Sequence, residues 1–372
     1  MPQNNGPYLG PTFVPVQTTL NSKYGPSGLF TPASFDAHTS DPTLAASLCN
    51  LANHSISKST WSSYRTAANM LQSCCLETAT VLTYPVGQNV ILLFIGWLHK
   101  RNLSATTINS YLSGLRQLHL SLGLQIPVIR TDLVKQVLAG KKVSDEISPK
   151  LKSTRIPVTP TVLRILKLKL SLDYELSVID MRLYWFLCTL AFHGSFRMGE
   201  LLVKSPVTFD PRFSLMGSDL QSKETSIDGY PITFLEVTLR SSKTSPTSAT
   251  VIDVFPTNTD ICPIRAFKKW SAMSQTLTHL PVFRLQSGKL LTPSTFNKKL
   301  RVWLKDSLDF SKTTISGHSF RAGLVSVLGT LGFDDKDLKS VGRWSSRAFQ
   351  IYTKLPRTKR LAMARAMGDL QI

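Results

Sequence analysis

His318 and Arg321 stand three residues apart in Gly-His-Ser-Phe-Arg, the spacing that brings two side chains onto one face of a helix. Arg197 and Glu200, in Gly-Ser-Phe-Arg-Met-Gly-Glu, repeat that spacing at the end of a very apolar segment, so the carboxylate can orient the guanidinium. Tyr352 follows Arg321 by 31 residues in a short polar and basic stretch, and Lys243 stands in the polar turn between two alternating apolar runs. These types are what phosphodiester cleavage by side chains requires. A phenol can be the nucleophile, cations can hold the charge that builds on non-bridging oxygens, and an acid must protonate the departing oxygen. Singly, each feature is an ordinary helix-surface pair or packed aromatic; their order and mutual spacing single them out.

Other chemistries lose their support. The chain has no G-x-x-x-x-G-K-[ST], no G-x-G-x-x-G after a strand, no H-E-x-x-H and no acidic cluster fit for two magnesium ions, the patterns that nucleotide hydrolysis and metal-dependent nuclease chemistry use. No cofactor and no metal is expected. Cys49, Cys74, Cys75, Cys188 and Cys262 are odd in number and never spaced C-x-x-C, which suits reduced, buried thiols in an intracellular compartment rather than a disulfide framework or zinc knuckle. The first ten residues lack the basic and apolar regions of a secretory signal, so none is expected. The unbroken apolar runs, such as Val90 to Phe94, fall far short of a membrane span.

The 372 residues carry 43 Lys and Arg against 23 Asp and Glu, a formal charge of +20, with 42% apolar residues. That length and apolar content suit two domains with real cores. The positive charge falls on residues 56–150 and 151–372, whereas residues 1–55 hold Lys23 against Asp36 and Asp41. Two basic domains are the electrostatic footprint of a protein that wraps a polyphosphate.

The elements that must position these side chains are mainly helical. Residues 1–55 read as a flexible arm; most of it is rich in Pro, Gly, Ser, Thr and Asn, too polar to offset the entropy of ordering. Its scattered aromatics, Tyr8, Phe13, Tyr24, Phe30 and Phe35, could dock on a partner. Residues 56–143 predict four helices. The first starts at a Ser59-Thr60 cap with Trp61, Tyr64, Ala67, Ala68 and Leu71 in helical register, the next spans about 87–101, a third follows Ser104 with Ile108, Tyr111, Leu112, Leu115 and Leu118 on one stripe, and the last spans about 130–139, ending at Gly140. Residues 144–158 read as a linker. Residues 159–356 predict helices at about 160–170, 178–192, 263–273, 294–307, 317–331, 334–342 and 347–352. A hairpin interrupts them, with Ile232 to Leu239 as one strand and Val251 to Val254 as the other. The class is mainly α: an N-terminal four-helix domain and a C-terminal α+β domain with a small antiparallel sheet.

With these residues in place, the sequence resembles the tyrosine recombinases. Leu190-Ala-Phe-His-Gly-Ser-Phe-Arg-Met-Gly-Glu-Leu-Leu202 is similar to their first-arginine motif, Ser242-Lys-Thr244 to the hairpin-lysine motif, and Ser316-Gly-His-Ser-Phe-Arg-Ala-Gly323 to the His-x-x-Arg motif. Val341-Gly-Arg-Trp-Ser-Ser346 followed by Ile351-Tyr-Thr353 resembles the closing motif with its nucleophile. Gly-Arg-Trp-Ser-Ser, with Cys262-Pro-Ile-Arg-Ala266 upstream, is most similar to recombinases of eukaryotic mobile elements of the DIRS, Ngaro and Crypton types. The resemblance covers about residues 56–356, and Thr60-x-x-x-Tyr64 and Thr106-Thr-Ile-x-x-Tyr111 fit the family's core-binding domain. One position departs from it. Many relatives carry His or Trp nine residues before the nucleophile, where this chain has Arg343, with Trp344 at eight. Arg343 could reach the phosphate as a charge and Trp344 through its indole N–H, and Trp344 is the preferred reading.

The resemblance implies a mechanism. Tyr352 attacks the scissile phosphate to form a 3′-phosphotyrosyl bond, Arg197 and Arg321 clamp the non-bridging oxygens, Lys243 is the general acid, His318 donates to the phosphate, and Glu200 supports the group. Neither ATP nor metal is needed. The implied partner is double-stranded DNA, gripped between the two basic domains with Lys141, Lys142, Lys150 and Lys152 near its phosphates. Assembly into a homo-oligomer on DNA, a tetrameric synapse, follows, with residues 357–372 as a C-terminal helix that either crosses to a neighbour or folds back. No membrane or small-molecule cofactor is implied, and DNA chemistry with reduced thiols places the protein in the nucleus. Two other functions fit the same residues: a domesticated DNA-binding protein without turnover, and a type IB topoisomerase.

Overall fold

The computed structural model describes residues 30–124, 131–148, 154–227, 229–240, 248–274, 277–308 and 313–344. The chain divides into two compact units, Met1–Lys150 and Leu151–Ile372.

The first unit is helical: α1 (Pro42–His54), α2 (Lys58–Glu77), α3 (Gln88–Lys100), α4 (Ala105–Ser121) and α5 (Asp132–Ile147). Ser or Thr side chains cap three of them, the first at Ser57 rather than at the expected Ser59-Thr60 pair. Ser57 accepts from Thr60 N, Ser104 from Thr107 N and Thr131 from Val134 N, each satisfying a donor that a helix start leaves open. The core gathers Leu71, Cys74, Ile91, Phe94, Leu98, Ile108, Leu112 and Leu115, all buried. His119 is sealed inside the unit, its Nε2 accepting from Val86 N at 2.9 Å while Nδ1 donates to Leu115 O at 2.7 Å; burial holds its pKa below the ordinary histidine value.

Two boundaries differ from the sequence expectation. The arm expected through residue 55 contains α1 and a short 3-10 turn at Pro32–Phe35. Asp41 caps α1, Phe30 stacks on Phe35 at 5.8 Å and meets Trp61 edge-on at 6.2 Å, and Asn53 Nδ2 donates to Phe30 O at 3.0 Å. These aromatics therefore dock on their own unit, a tertiary contact invisible to local composition. The last helix does not stop at Gly140 but continues to Ile147, because the space beside Gly140 is open and the Lys141–Asp145 pair bonds across the following turn.

The second unit surrounds one helix. Helix α6 (Pro160–Ser171) precedes α7 (Val178–His193), in which Leu183, Tyr184 and every residue from Phe186 to Phe192 are buried. A helix apolar all round must be enclosed, and α6, α9 (Pro263–Ser271) and α11 (His318–Thr330) all pack on it. Phe186 lies 5.3 Å from Trp270 in a stacked pair. A three-stranded antiparallel sheet, β2 (Leu220–Ile227), β3 (Tyr230–Leu239) and β4 (Thr250–Val254), flanks this core in the order β2-β3-β4. Strand β2 escapes sequence reading because Gln, Ser, Lys, Glu and Thr fill it without apolar alternation. The one-turn helix α8 (Met198–Leu201) follows α7, α10 (Pro293–Leu304) precedes α11, and α12 (Asp335–Val341) follows it. The segment expected as linker ends in structure: β1 (Thr154–Arg155) pairs in parallel with β5 (Thr313–Thr314), Arg155 opposite Thr314. The expected helix at 347–352, the arm before residue 30 and the segment 357–372 lie outside the described residues.

Candidate active site

Arg197 is set by a break in the chain. Helix α7 ends at His193, Ser195 turns through φ +50°, and Arg197 caps the new helix α8 with extended backbone. The pair does not ride on the end of α7, as the sequence suggests, but opens a fresh turn. Glu200 reaches back over that turn: Arg197 N donates to its Oε2 at 2.9 Å and Arg197 Nη1 to its Oε1 at 2.8 Å. The carboxylate thus fixes both the backbone and the guanidinium of Arg197, which keeps 24% of its side chain exposed against 5% for Glu200.

His318 and Arg321 occupy the first turn of α11. The helix start is held from several sides, with Ile156 N bonded to Thr314 O and Val158 N to Ser319 O, both at 2.9 Å, and with Gly317 N donating to Asn297 Oδ1 at 2.7 Å. A side chain at Gly323 would collide with the Val158 backbone, so glycine there lets α11 sit against this segment. The Arg321 side chain is completely buried. It donates from Nη1 to Ser195 O at 3.1 Å and from Nη2 to Gly342 O and, at 3.2 Å, to Arg343 O. Its guanidinium carbon lies 4.6 Å from the centroid of the Trp344 ring, and Glu200 Oε1 is 3.9 Å from its Nη1.

Arg343 enters the same pocket from the turn after α12, with φ +49°. Its Nη1 donates to Gly194 O at 2.7 Å and its Nη2 to Ser195 O at 3.1 Å and Glu200 Oε2 at 2.9 Å, while the guanidinium lies 4.9 Å from the Phe196 centroid. Of the two residues that the sequence leaves competing for one position, Arg343 therefore faces inward, and Trp344 lies against Arg321. Trp344 also packs on the small cluster of Val325 and Leu338.

One carboxylate thus meets three guanidiniums, and the group stays net positive. The excess charge acts on His318. Partial burial lowers its pKa most, and the cations Arg155, Arg321 and Arg197 lower it further, in that order. Arg155 is an exposed residue of β1 that sequence reasoning passes over as linker. The parallel pairing with β5, four residues ahead of His318, brings it to the site, and only its place in a basic Lys-x-x-Arg stretch hints at a role. An imidazole whose protonation these cations disfavour is suited to donate or pass a proton beside a bound anion.

The other expected residues divide. Lys243 and Tyr352 lie outside the described residues, as do Lys150 and Lys152; in the sequence Lys243 falls between β3 and β4. Lys142 is exposed on α5. Lys141, expected beside DNA phosphates, is instead buried: its ammonium pairs with Asp145 at 2.6 Å, with 8% of the side chain exposed, and Asp145 also accepts from Ala105 N at 2.7 Å. The pair ties α5 to the start of α4, because an ammonium that loses water needs a carboxylate. Among the described residues, no three His, Cys, Asp or Glu side chains gather as a metal site.

No protein-family model and no curated protein matches the sequence. Solved structures do match. The XerH site-specific recombinase bound to a palindromic difH substrate, in a post-cleavage complex, is 13% identical, with 84% of this chain and 80% of that one covered at a TM-score of 0.52. The Tn1549 transposon integrase in complex with transposon right end DNA is 12% identical, with 82% and 93% covered at a TM-score of 0.50. At such identities the likeness is one of fold: a mainly helical chain with a small antiparallel sheet, the architecture of the tyrosine recombinases.

Proposed function

We propose that this protein cuts and rejoins duplex DNA through a covalent tyrosine intermediate. The observation that carries the reading is the convergence of Arg197, Arg321 and Arg343 on Glu200 beside His318, on a fold shared with site-specific recombinases. In the proposed reaction the Tyr352 oxygen attacks the scissile phosphorus, and a new P–O bond forms as the bond to the 5′-oxygen breaks. The phenol proton leaves by way of His318 or water, and Lys243 protonates the departing 5′-oxygen. Arg197, with 24% of its side chain exposed, holds the non-bridging oxygens where charge grows in the transition state, and the resemblance assigns the same part to Arg321, whose guanidinium is buried in this structure. Because the ester bond is conserved in the phosphotyrosine, a second 5′-hydroxyl can reverse the step and join new ends without ATP.

The charge of +20 suits a double-stranded DNA partner, with affinity that falls steeply as salt rises. The closing motif Gly-Arg-Trp-Ser-Ser supports a mobile-element recombinase of the DIRS, Ngaro or Crypton kind acting in the nucleus. Exchange between two duplexes needs four such sites, hence a homotetramer on DNA.

The test is trapping on a nicked suicide duplex followed by mass mapping of the DNA-linked peptide. A label on Tyr352 is expected, and a label elsewhere refutes the assignment. Tyr352→Phe should lose the adduct yet still shift duplex DNA in a gel, and Arg321→Ala should slow adduct formation by roughly 10²–10³-fold. Supercoiled plasmid and a two-site substrate separate the competing functions: strand exchange marks a recombinase, relaxation alone a type IB topoisomerase, and neither a DNA-binding protein without turnover.

A further inference from the structure

The side chain of Arg343 is bound to its own chain at three points. Gly194 O, Ser195 O and Glu200 Oε2 accept from its two terminal nitrogens at 2.7, 3.1 and 2.9 Å, and 18% of the side chain is exposed. The fastening is reciprocal. Arg321, from α11, donates back to the carbonyls of Gly342 and Arg343, and it shares the Ser195 carbonyl with Arg343. Both turns that meet here pass through left-handed backbone at a residue other than glycine, Ser195 at φ +50° and Arg343 at φ +49°, a conformation that persists only when its surroundings hold it. The chain then continues to Tyr352, nine residues beyond Arg343.

We propose that Arg343 is a positioning residue: it locks the turn that leads to the nucleophile onto the Arg197–Glu200 turn, so that the attacking residue and the phosphate clamp keep one register. The inference rests on the strand-transfer reading above and deepens it. It departs from what the resemblance implies for this position, a side chain directed at the phosphate. A guanidinium can serve three acceptors in two directions because its donors form a rigid planar fork. An ammonium at the same place retains the charge but not the fork. Glu200 becomes the shared anchor, oriented by Arg343 on one oxygen and orienting Arg197 with both.

Chemistry separates a clamp from a lock. A methylphosphonate at the scissile position carries no negative charge, so an enzyme that has lost a phosphate-holding cation regains ground on it relative to the natural phosphate. A lock confers no such preference. Full-length wild type, Arg343→Ala, Arg343→Lys and Arg197→Ala are compared on both suicide duplexes, with DNA affinity measured over a salt series. Arg343→Ala is expected to bind within about twofold of wild type with an unchanged salt slope, and to form adduct roughly 100-fold more slowly at saturating DNA, on both substrates alike. Arg343→Lys, which covers the case that the alanine variant fails to fold, should stay at least about tenfold slow despite its charge. Arg197→Ala alone should recover on methylphosphonate. Recovery of an Arg343 variant on the neutral substrate, a salt slope reduced by about one, or a wild-type rate in either variant overturns the proposal. Failure of the wild-type chain to form any adduct would instead sink the parent reading, and the inference with it.

Discussion

At the scale of single residues, His318 responds to its neighbours' charges. Its pKa is held below the ordinary value of 6.5 by burial first and then by Arg155, Arg321 and Arg197, since each positive charge disfavours a second one on the imidazole. Arg155→Ala removes the largest of those charge effects, so the pKa of His318 should rise. If cleavage needs the neutral ring, the acid limb of the pH–rate profile moves to higher pH in Arg155→Ala than in wild type. A profile that does not move would show that Arg155 is remote from the reacting group. Much of this was legible: Arg197, Glu200, His318 and Arg321 are marked by type and spacing, because i, i+3 pairs share a helix face. Arg155 was not, since a cation in a basic stretch looks like any solvated charge until a strand pairing places it.

Among the elements, α5 shows how one side chain changes the meaning of a basic stretch. Lys141 and Lys142 are adjacent in sequence and equivalent in composition, yet helical rotation buries the first against Asp145 and leaves the second in solvent. Lys141→Ala strips Asp145 of its ammonium in a half-buried place and should cost roughly 1–3 kcal/mol, read as a lower denaturant midpoint at unchanged m-value, with DNA affinity of the folded protein little altered. Lys142→Ala should do the reverse, keeping stability and lowering the salt slope of DNA binding. The same element shows why boundaries are hard to read. Gly140 resembles a stop, but no bulky neighbour or left-handed turn there demands one, and the helix runs on.

For the molecule as a whole, stability should decay in acid for an identifiable reason. His193, at the end of α7, is half-buried with Nε2 donating to Ile261 O at 3.1 Å, and desolvation pushes its pKa down to about 4 from 6.5. The unfolded chain takes up a proton below about pH 6.5 that the folded chain refuses until pH 4. Stability is therefore intact above the ordinary histidine pKa and falls as pH drops through that window, by about 3 kcal/mol from this group. Urea titrations between pH 7 and pH 4 would measure it, and His193→Gln should flatten the curve by a similar amount. A slope that persists in the variant would assign the acid sensitivity to other groups, His119 first.

Sequence alone determined the fold class, most helix positions and the β3–β4 hairpin, and it singled out Arg197, Glu200, His318 and Arg321, because those follow from periodicity, caps and spacing within a few turns of chain. Tertiary structure decided the rest. It folded Phe30 and α1 onto the first unit, buried Lys141, paired β1 with β5 so that Arg155 stands by His318, and turned Arg343 inward to Glu200. Each of these depends on a contact between segments far apart in sequence, and a local pattern carries no record of which distant carboxylate, carbonyl or strand edge will be waiting.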